Sequence, residues 1–222
     1  VNDGSSDNTK EIVASFARQF PQVKLVENPG NRGKGYSVRH GMREAQGEYV
    51  LFSDADLSAP ICEAAKLFTL LQEGFDVAIG SRWLDVKLQR QRQPLYRQLL
   101  GRVFNLALRS VLLLKQKDTQ CGFKAFTRRG AAIIFQNQRI ERWGFDPELL
   151  FLAKKFGLRV AEVPVEWAHS GGSKINPLKD GARMLWDMLK VRGHSMMGHY
   201  KLPLDATALP LAQVERKSST AL

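Results

Sequence analysis

The sequence predicts an α/β fold, a mostly parallel central sheet with helices on both faces. Three observations predict it. Short apolar runs alternate with stretches whose apolar residues recur at helical spacing. Clusters of Gly, Asn, Asp and Ser separate the two kinds of segment. Asp54 and Asp56 directly follow one apolar run, at the strand end where open α/β sheets carry their ligands.

Each element follows in order. Val1 reads as the last residue of a strand, and 2–7 is turn chemistry. Asp7 or Thr9 caps a helix carrying Ile12, Val13, Phe16 and Ala17 on one side. Residues 23–26 alternate as a strand, and the glycines and proline of 28–35 make a loop. A helix follows with Val38, Met42 and Ala45 on one face and Gly47 at its end. The run 49–52 reads as a buried strand. Pro60 suits the first position of a helix over 60–73, which Gly74 stops. A strand over 76–80 comes next. From 81 to 94 the chain is polar and without period, and is expected to be a mobile loop. An apolar helix interrupted by Arg97, Arg102 and Arg109 spans 95–114, and a short strand spans 122–127. Pro147 opens a helix that ends at Phe156 before Gly157. The strand over 158–167 is broken by Pro164, which places it at an edge. A glycine loop at 170–173 leads into an amphipathic helix over 178–191. One domain is expected over 1–192, with a partly disordered tail over 193–222. Because the chain opens on a turn, it reads as a fragment lacking its first strand and helix.

The 222 residues are 44% hydrophobic and 25% charged, a composition that can bury a proper core. No apolar run is long enough to cross a bilayer. A formal charge of +11 calls for a polyanionic partner: nucleic acid, an anionic membrane surface or a phosphorylated substrate. Without zinc-finger spacing or an RNA-binding aromatic motif, nucleic acid is not expected. Cys62 and Cys121 do not make a disulfide framework and fit a reducing compartment.

Several residues carry chemistry. Magnesium and manganese take hard oxygen ligands and keep waters and substrate phosphates in their shell. Asp54 and Asp56 at a strand end therefore point to a metal–diphosphate clamp. In 31–35 the glycines let the backbone approach a ligand, and Lys34 either faces phosphate or steadies the loop. The planar fork of Arg82 suits phosphate oxygens. Lys174 lies just past the glycine hinge, placed to close over a bound diphosphate.

Three segments, 1–7, 31–37 and 52–58, resemble the inverting family 2 glycosyltransferases. Gly80-Ser81-Arg82, the stretch 118–124 and the stretch 141–148 resemble the branch that glucosylates dolichyl phosphate, close kin of the polyprenyl-phosphate mannose synthases. The family's opening Pro-x-Tyr-Asn-Glu strand is absent. The resemblance implies a Rossmann-like GT-A fold and inverting transfer of glucose from a UDP-glucose donor to a polyprenyl phosphate acceptor. It implies a Mg or Mn ion and a peripheral position on the cytoplasmic face of a membrane. Asp3, Lys34, Asp54, Ala55, Asp56, Arg82 and Lys174 would bind the nucleotide-sugar, and Asp54, Asp56 and Ser58 the metal. Arg97, Gln120, Asp146 and Glu148 would meet the acceptor. Asp56, Arg82 and Asp118 would be catalytic. No general base is assigned, because an acceptor phosphate is already an anion near neutral pH. Trp143 and Phe145 are expected in the core. Two other readings stand beside this one: transfer from GDP-mannose or another sugar nucleotide, and a basic membrane- or nucleic-acid-binding module without turnover.

Overall fold

The computed structural model describes residues 1–91, 95–168 and 177–202. Helix α1 covers Thr9–Gln19 and α2 covers Lys34–Glu44; β1 is Tyr49–Ser53, α3 Ala64–Gln72 and β2 Val77–Ser81. Then come β3 (Gln89–Gln91), α4 (Leu95–Leu112), β4 (Phe123–Thr127), α5 (Arg128–Asn137) and α6 (Phe145–Lys155). The last are β5 (Val160–Pro164), β6 (Trp167–Ala168) and α7 (Pro177–Met196).

The α/β expectation holds, with one correction. The main sheet has the order β1-β4-β2-β5. Strand β4 lies antiparallel to both β1 and β2, and only β2 and β5 pair in parallel, so the sheet is mixed rather than mostly parallel. The crossover through α3 leaves β1 and β2 pointing the same way but not adjacent, and β4 fills the space between them. Strand alternation then feeds two cores. Val50, Phe52, Val77, Ile79 and Phe126 face the larger core, built from α2 and α4–α7. Ala78, Phe123 and Ala125 face α3 through Leu67 and Leu71. Helices therefore cover both faces.

Other departures have local reasons. The strand expected over 23–26 is reduced to a bridge between Asn2 and Glu27, because among the described residues only Asn2 pairs with it: its N–H donates to the Val26 carbonyl at 2.8 Å. The loop expected over 81–94 contains β3, which pairs in parallel with β6; residues 92–94 lie outside the described residues. The long strand expected over 158–167 is two strands in two sheets, with Pro164 closing β5 at the sheet edge, where a missing N–H costs nothing. Helix α5 was not expected. It is started by Thr127, whose hydroxyl accepts from the Gly130 N–H at 3.0 Å. The domain boundary expected at 192 falls inside α7, and Tyr200 beyond it is buried. The part of the expected tail from 203 on lies outside the described residues.

Candidate active site

The mixed sheet builds the site. Strands β1 and β2 end on the same sheet edge, and antiparallel β4 begins there, so the loop 118–122 arrives beside Asp54. The Asp54 N–H donates to the Gly122 carbonyl at 3.0 Å. Gly122 is required at this point: a Cβ there would run into the Asp54 carboxylate.

Past Asp54 the chain turns tightly. The Leu57 N–H donates to the Asp54 carbonyl at 3.1 Å, with Leu57 at a φ of 52°, a left-handed conformation that non-glycine residues adopt at a cost of about 1–2 kcal/mol. The Asp56 carboxylate accepts the Ser58 N–H at 3.0 Å, which fixes the turn, and Asp56 itself is exposed. Ser58 itself is buried.

A cleft of about 1290 Å³ opens over this edge, and Asp3, Lys34, Asp54, Ala55, Asp56, Ser58, Arg82, Gln120 and Asp146 all line it. Asp3 ties the loop that precedes α2: its carboxylate accepts from Asn28 Nδ2 and from the N–H groups of Arg32 and Gly33, each at 2.8 Å. Burial works against the carboxylate, but these hydrogen bonds outweigh it and hold its pKa below the ordinary value. The first residue of α2, Lys34, places its Nζ 2.5 Å from Asp54 Oδ1.

Arg82 follows β2 and is locked by Asp118, which accepts from Nε at 2.7 Å, Nη2 at 2.8 Å and the Arg82 backbone N–H at 3.0 Å. Burial works against both charges, and their mutual attraction wins, raising the arginine and lowering the aspartate. The guanidinium also sits 5.7 and 5.6 Å from the ring centres of Trp83 and Trp167. Arg82 lines the cleft.

Three expectations are corrected here. Asp118 is fully buried behind Arg82. It aims that arginine through three hydrogen bonds and does not itself line the cleft. Glu148 is fully buried away from the cleft, accepting the Arg139 and Ile140 N–H groups at 3.0 and 2.8 Å and the Tyr200 hydroxyl at 2.7 Å. It is bound into the packing of the C-terminal segment and does not line the cleft. Trp143, expected in the core, is 42% exposed and lines the cleft, whereas Phe145 is buried as expected. Arg97 stands in the first turn of α4, but its side chain is outside the described part of the structure. Lys174 lies outside the described residues.

Sequence reasoning missed Lys124. Strand alternation turns it toward α6, where its Nζ donates to Asp146 Oδ1 and to the Cys121 carbonyl, both at 2.5 Å, with no solvent exposure. A lysine in a strand whose other residues are apolar or small was the available signal.

The donor set suits a hard divalent ion. Asp54 and Asp56 offer acceptor-only oxygens, and an ammonium already rests on Asp54. Among the described residues no three His, Cys, Asp or Glu side chains group around one point. The rest of an octahedral shell would come from water and ligand phosphate, as magnesium sites commonly have it.

Comparison with known proteins decides the family. The family described as Glycosyl transferase family 2 matches residues 1–133, more than half of the chain. The chain belongs to glycosyltransferase family 2. Dolichyl-phosphate beta-glucosyltransferase ALG5C of Trichomonas vaginalis is 38% identical over 97% of this chain and 65% of its own length. The human dolichyl-phosphate beta-glucosyltransferase is 32% identical over 91% of this chain and 65% of its own length. This family 2 chain thus spans just under two thirds of the relatives it matches. Among solved structures, glucosyl-3-phosphoglycerate synthase from Mycobacterium tuberculosis superposes with a TM-score of 0.57 at 18% identity, covering 90% of this chain and 67% of that one. Mannosyl-3-phosphoglycerate synthase from Rubrobacter xylanophilus gives 0.57 at 17%, covering 90% and 64%. At such identities these two establish the fold, which is GT-A.

Proposed function

We propose that this family 2 chain transfers glucose from UDP-glucose to a dolichyl-type polyprenyl phosphate, with inversion at the anomeric carbon. The observation that carries the reading is the convergence of Asp54, Asp56 and Arg82 on one cleft, with carboxylates on one strand end and a guanidinium on the next. The names of the relatives support the acceptor and the sugar. A glucosyl-3-phosphoglycerate synthase of the same fold, with a TM-score of 0.51, was crystallised with Mn²⁺ and UDP-glucose, which supports donor and metal.

In this reading an acceptor phosphate oxygen forms a bond to the anomeric carbon as the bond to the β-phosphate oxygen of UDP breaks. UDP departs with the electron pair. A Mg or Mn ion, when bound at Asp54 and Asp56, would neutralise charge on the leaving diphosphate. Arg82, held in one orientation by Asp118, adds a fixed positive charge at the same place, so little reorganisation is needed as charge develops. Asp3 sets the loop below α2 and faces the nucleoside end of the cleft. Gln120 and Asp146 stand on the acceptor side. Arg97 and Lys174 keep their proposed roles with the acceptor phosphate and the diphosphate.

The acceptor is a lipid, and the surface offers a place to meet it. Helix α4 exposes Leu99, Leu100, Val103 and Leu106, and α7, packed beside it, exposes Trp186, Leu189 and Met196. Arg102, Arg109, Arg183 and Arg192 stand on the same two helices, and α4 has no acidic residue. This combination fits helices lying in an anionic membrane interface, peripheral on the cytoplasmic face. Among the described residues no helix is long and apolar enough to cross a membrane.

The test is direct. The chain is incubated with labelled UDP-glucose, a polyprenyl phosphate and Mn²⁺ or Mg²⁺, and the lipid fraction is analysed; GDP-mannose is run in parallel. Metal-dependent glucosyl lipid, lost in Asp56→Ala with unchanged circular dichroism, is expected. Wild-type activity in Asp56→Ala, or a product from GDP-mannose alone, would overturn the assignment.

A further inference from the structure

Lys34 holds a cation among the carboxylates of the cleft. Its Nζ lies 2.5 Å from Asp54 Oδ1, and its side chain is 25% exposed. The nearest rings, Trp143 and Phe145, have their centres 5.6 and 5.7 Å from Nζ and shield it on one side. Burial alone would favour loss of the proton, but the charges of Asp146, Asp54 and Asp56 outweigh it and keep the group ionised. The backbone beneath Lys34 is fixed, because Gly33 is tied to Asp3 and is the residue from which α2 starts. Movement is therefore left to the lysine's own flexible stem.

We propose that Lys34 is a cation place-holder that couples metal binding to diphosphate binding. Without nucleotide its ammonium satisfies Asp54, and a divalent ion arriving alone must share that carboxylate with an existing positive charge. A nucleoside diphosphate changes the balance. It brings negative charge and new acceptors, draws Lys34 off Asp54 and leaves both aspartates to the metal. The ion then binds tightly only together with the diphosphate, and by linkage the diphosphate binds tightly only with the ion. The inference rests on the proposed reading of Asp54 and Asp56 as metal ligands.

Mn²⁺ binding followed by electron paramagnetic resonance of the free ion tests this without turnover. The chain is titrated with Mn²⁺ with and without UDP, as wild type and as Lys34→Met and Lys34→Gln. The glutamine variant keeps a hydrogen-bonding group toward Asp54, which guards against simple loss of fold. Wild type should bind Mn²⁺ weakly alone and at least about tenfold more tightly with UDP, within the usual range of coupling between sites. Either variant should bind Mn²⁺ alone about tenfold or more tightly than wild type, because a like charge beside the ion is gone. The gain from UDP should shrink in the same variant. Equal Mn²⁺ affinity in wild type and both variants would overturn the place-holder, as would tight Mn²⁺ binding by wild type without UDP. Failure of wild type to bind UDP at all would instead remove the functional reading on which the inference rests.

Discussion

Replacing Gly122 by alanine separates the site from the fold. The added Cβ would fall on the Asp54 carboxylate, with all three of its nearest neighbours belonging to that group. The Gly122 backbone cannot retreat, because its carbonyl holds the Asp54 N–H and the next residue, Phe123, is paired with Ser53. The flexible partner is the Asp54 side chain, which must rotate away and release Lys34. Asp54 is 33% exposed and its ion pair is partly screened, so the loss is about 0.5–1 kcal/mol. A chain of this length should then melt about 1–4 °C lower. Binding of UDP with Mn²⁺ should suffer more. Losing one charged ligand is worth about 2–3 kcal/mol, or a roughly 30- to 150-fold weaker complex. Gly130→Ala supplies the contrast. Its Cβ would meet the Asp76 backbone carbonyl at 2.7 Å, and a backbone cannot swing aside. That variant should lose about 1–3 kcal/mol of stability while its UDP affinity stays as in the wild type. Titration calorimetry and thermal unfolding on both variants decide the matter. A Gly122→Ala protein that binds UDP and Mn²⁺ as tightly as wild type would refute the placement of Asp54 in the clamp.

Further predictions concern other parts of the molecule. Burial, opposed by hydrogen bonds from Ile140, Tyr200 and Arg139, pushes the Glu148 carboxyl from 4.5 up to about 7. The folded state thus keeps a proton that the unfolded state has lost, so this contribution is complete below about pH 4.5 and disappears as pH rises through about 7, amounting to about 3 kcal/mol. Urea unfolding at pH 5 and pH 8 should show that decline in wild type and a much flatter profile in Glu148→Gln; equal slopes would mean that Glu148 ionises normally. Lys124→Met should cost about 3–5 kcal/mol, because Asp146 is left buried without its cation, and adding Asp146→Leu should restore much of it; denaturant midpoints of the single and double variants check this. On the exposed face of α4, Val103→Asp with Leu106→Asp should abolish sedimentation with anionic vesicles while leaving circular dichroism unchanged. Vesicle binding that survives this change, or that does not weaken with salt, would exclude α4 as the contact.

Much of this protein was determined by local chemistry that the sequence displays. The apolar run before Asp54, the turn residues after it and the arginine after the next apolar run place a carboxylate pair and a guanidinium at strand ends, whatever the neighbours are. Helical spacing located six of the helices, α1–α4, α6 and α7, because burying one face sets a period that needs no knowledge of the partner. Tertiary structure decided what depends on partners far along the chain. Strand direction is one case: nothing in 122–127 says that β4 will insert antiparallel between β1 and β2, yet that insertion brings Gly122 to Asp54. Carboxylate roles are another. Asp54, Asp118, Asp146 and Glu148 look alike in sequence, but Lys34, Arg82, Lys124 and Tyr200 divide them between cleft and interior. A charged group's function follows from which partner neutralises it and how much water it keeps, and both are set by residues that meet only when the chain has folded.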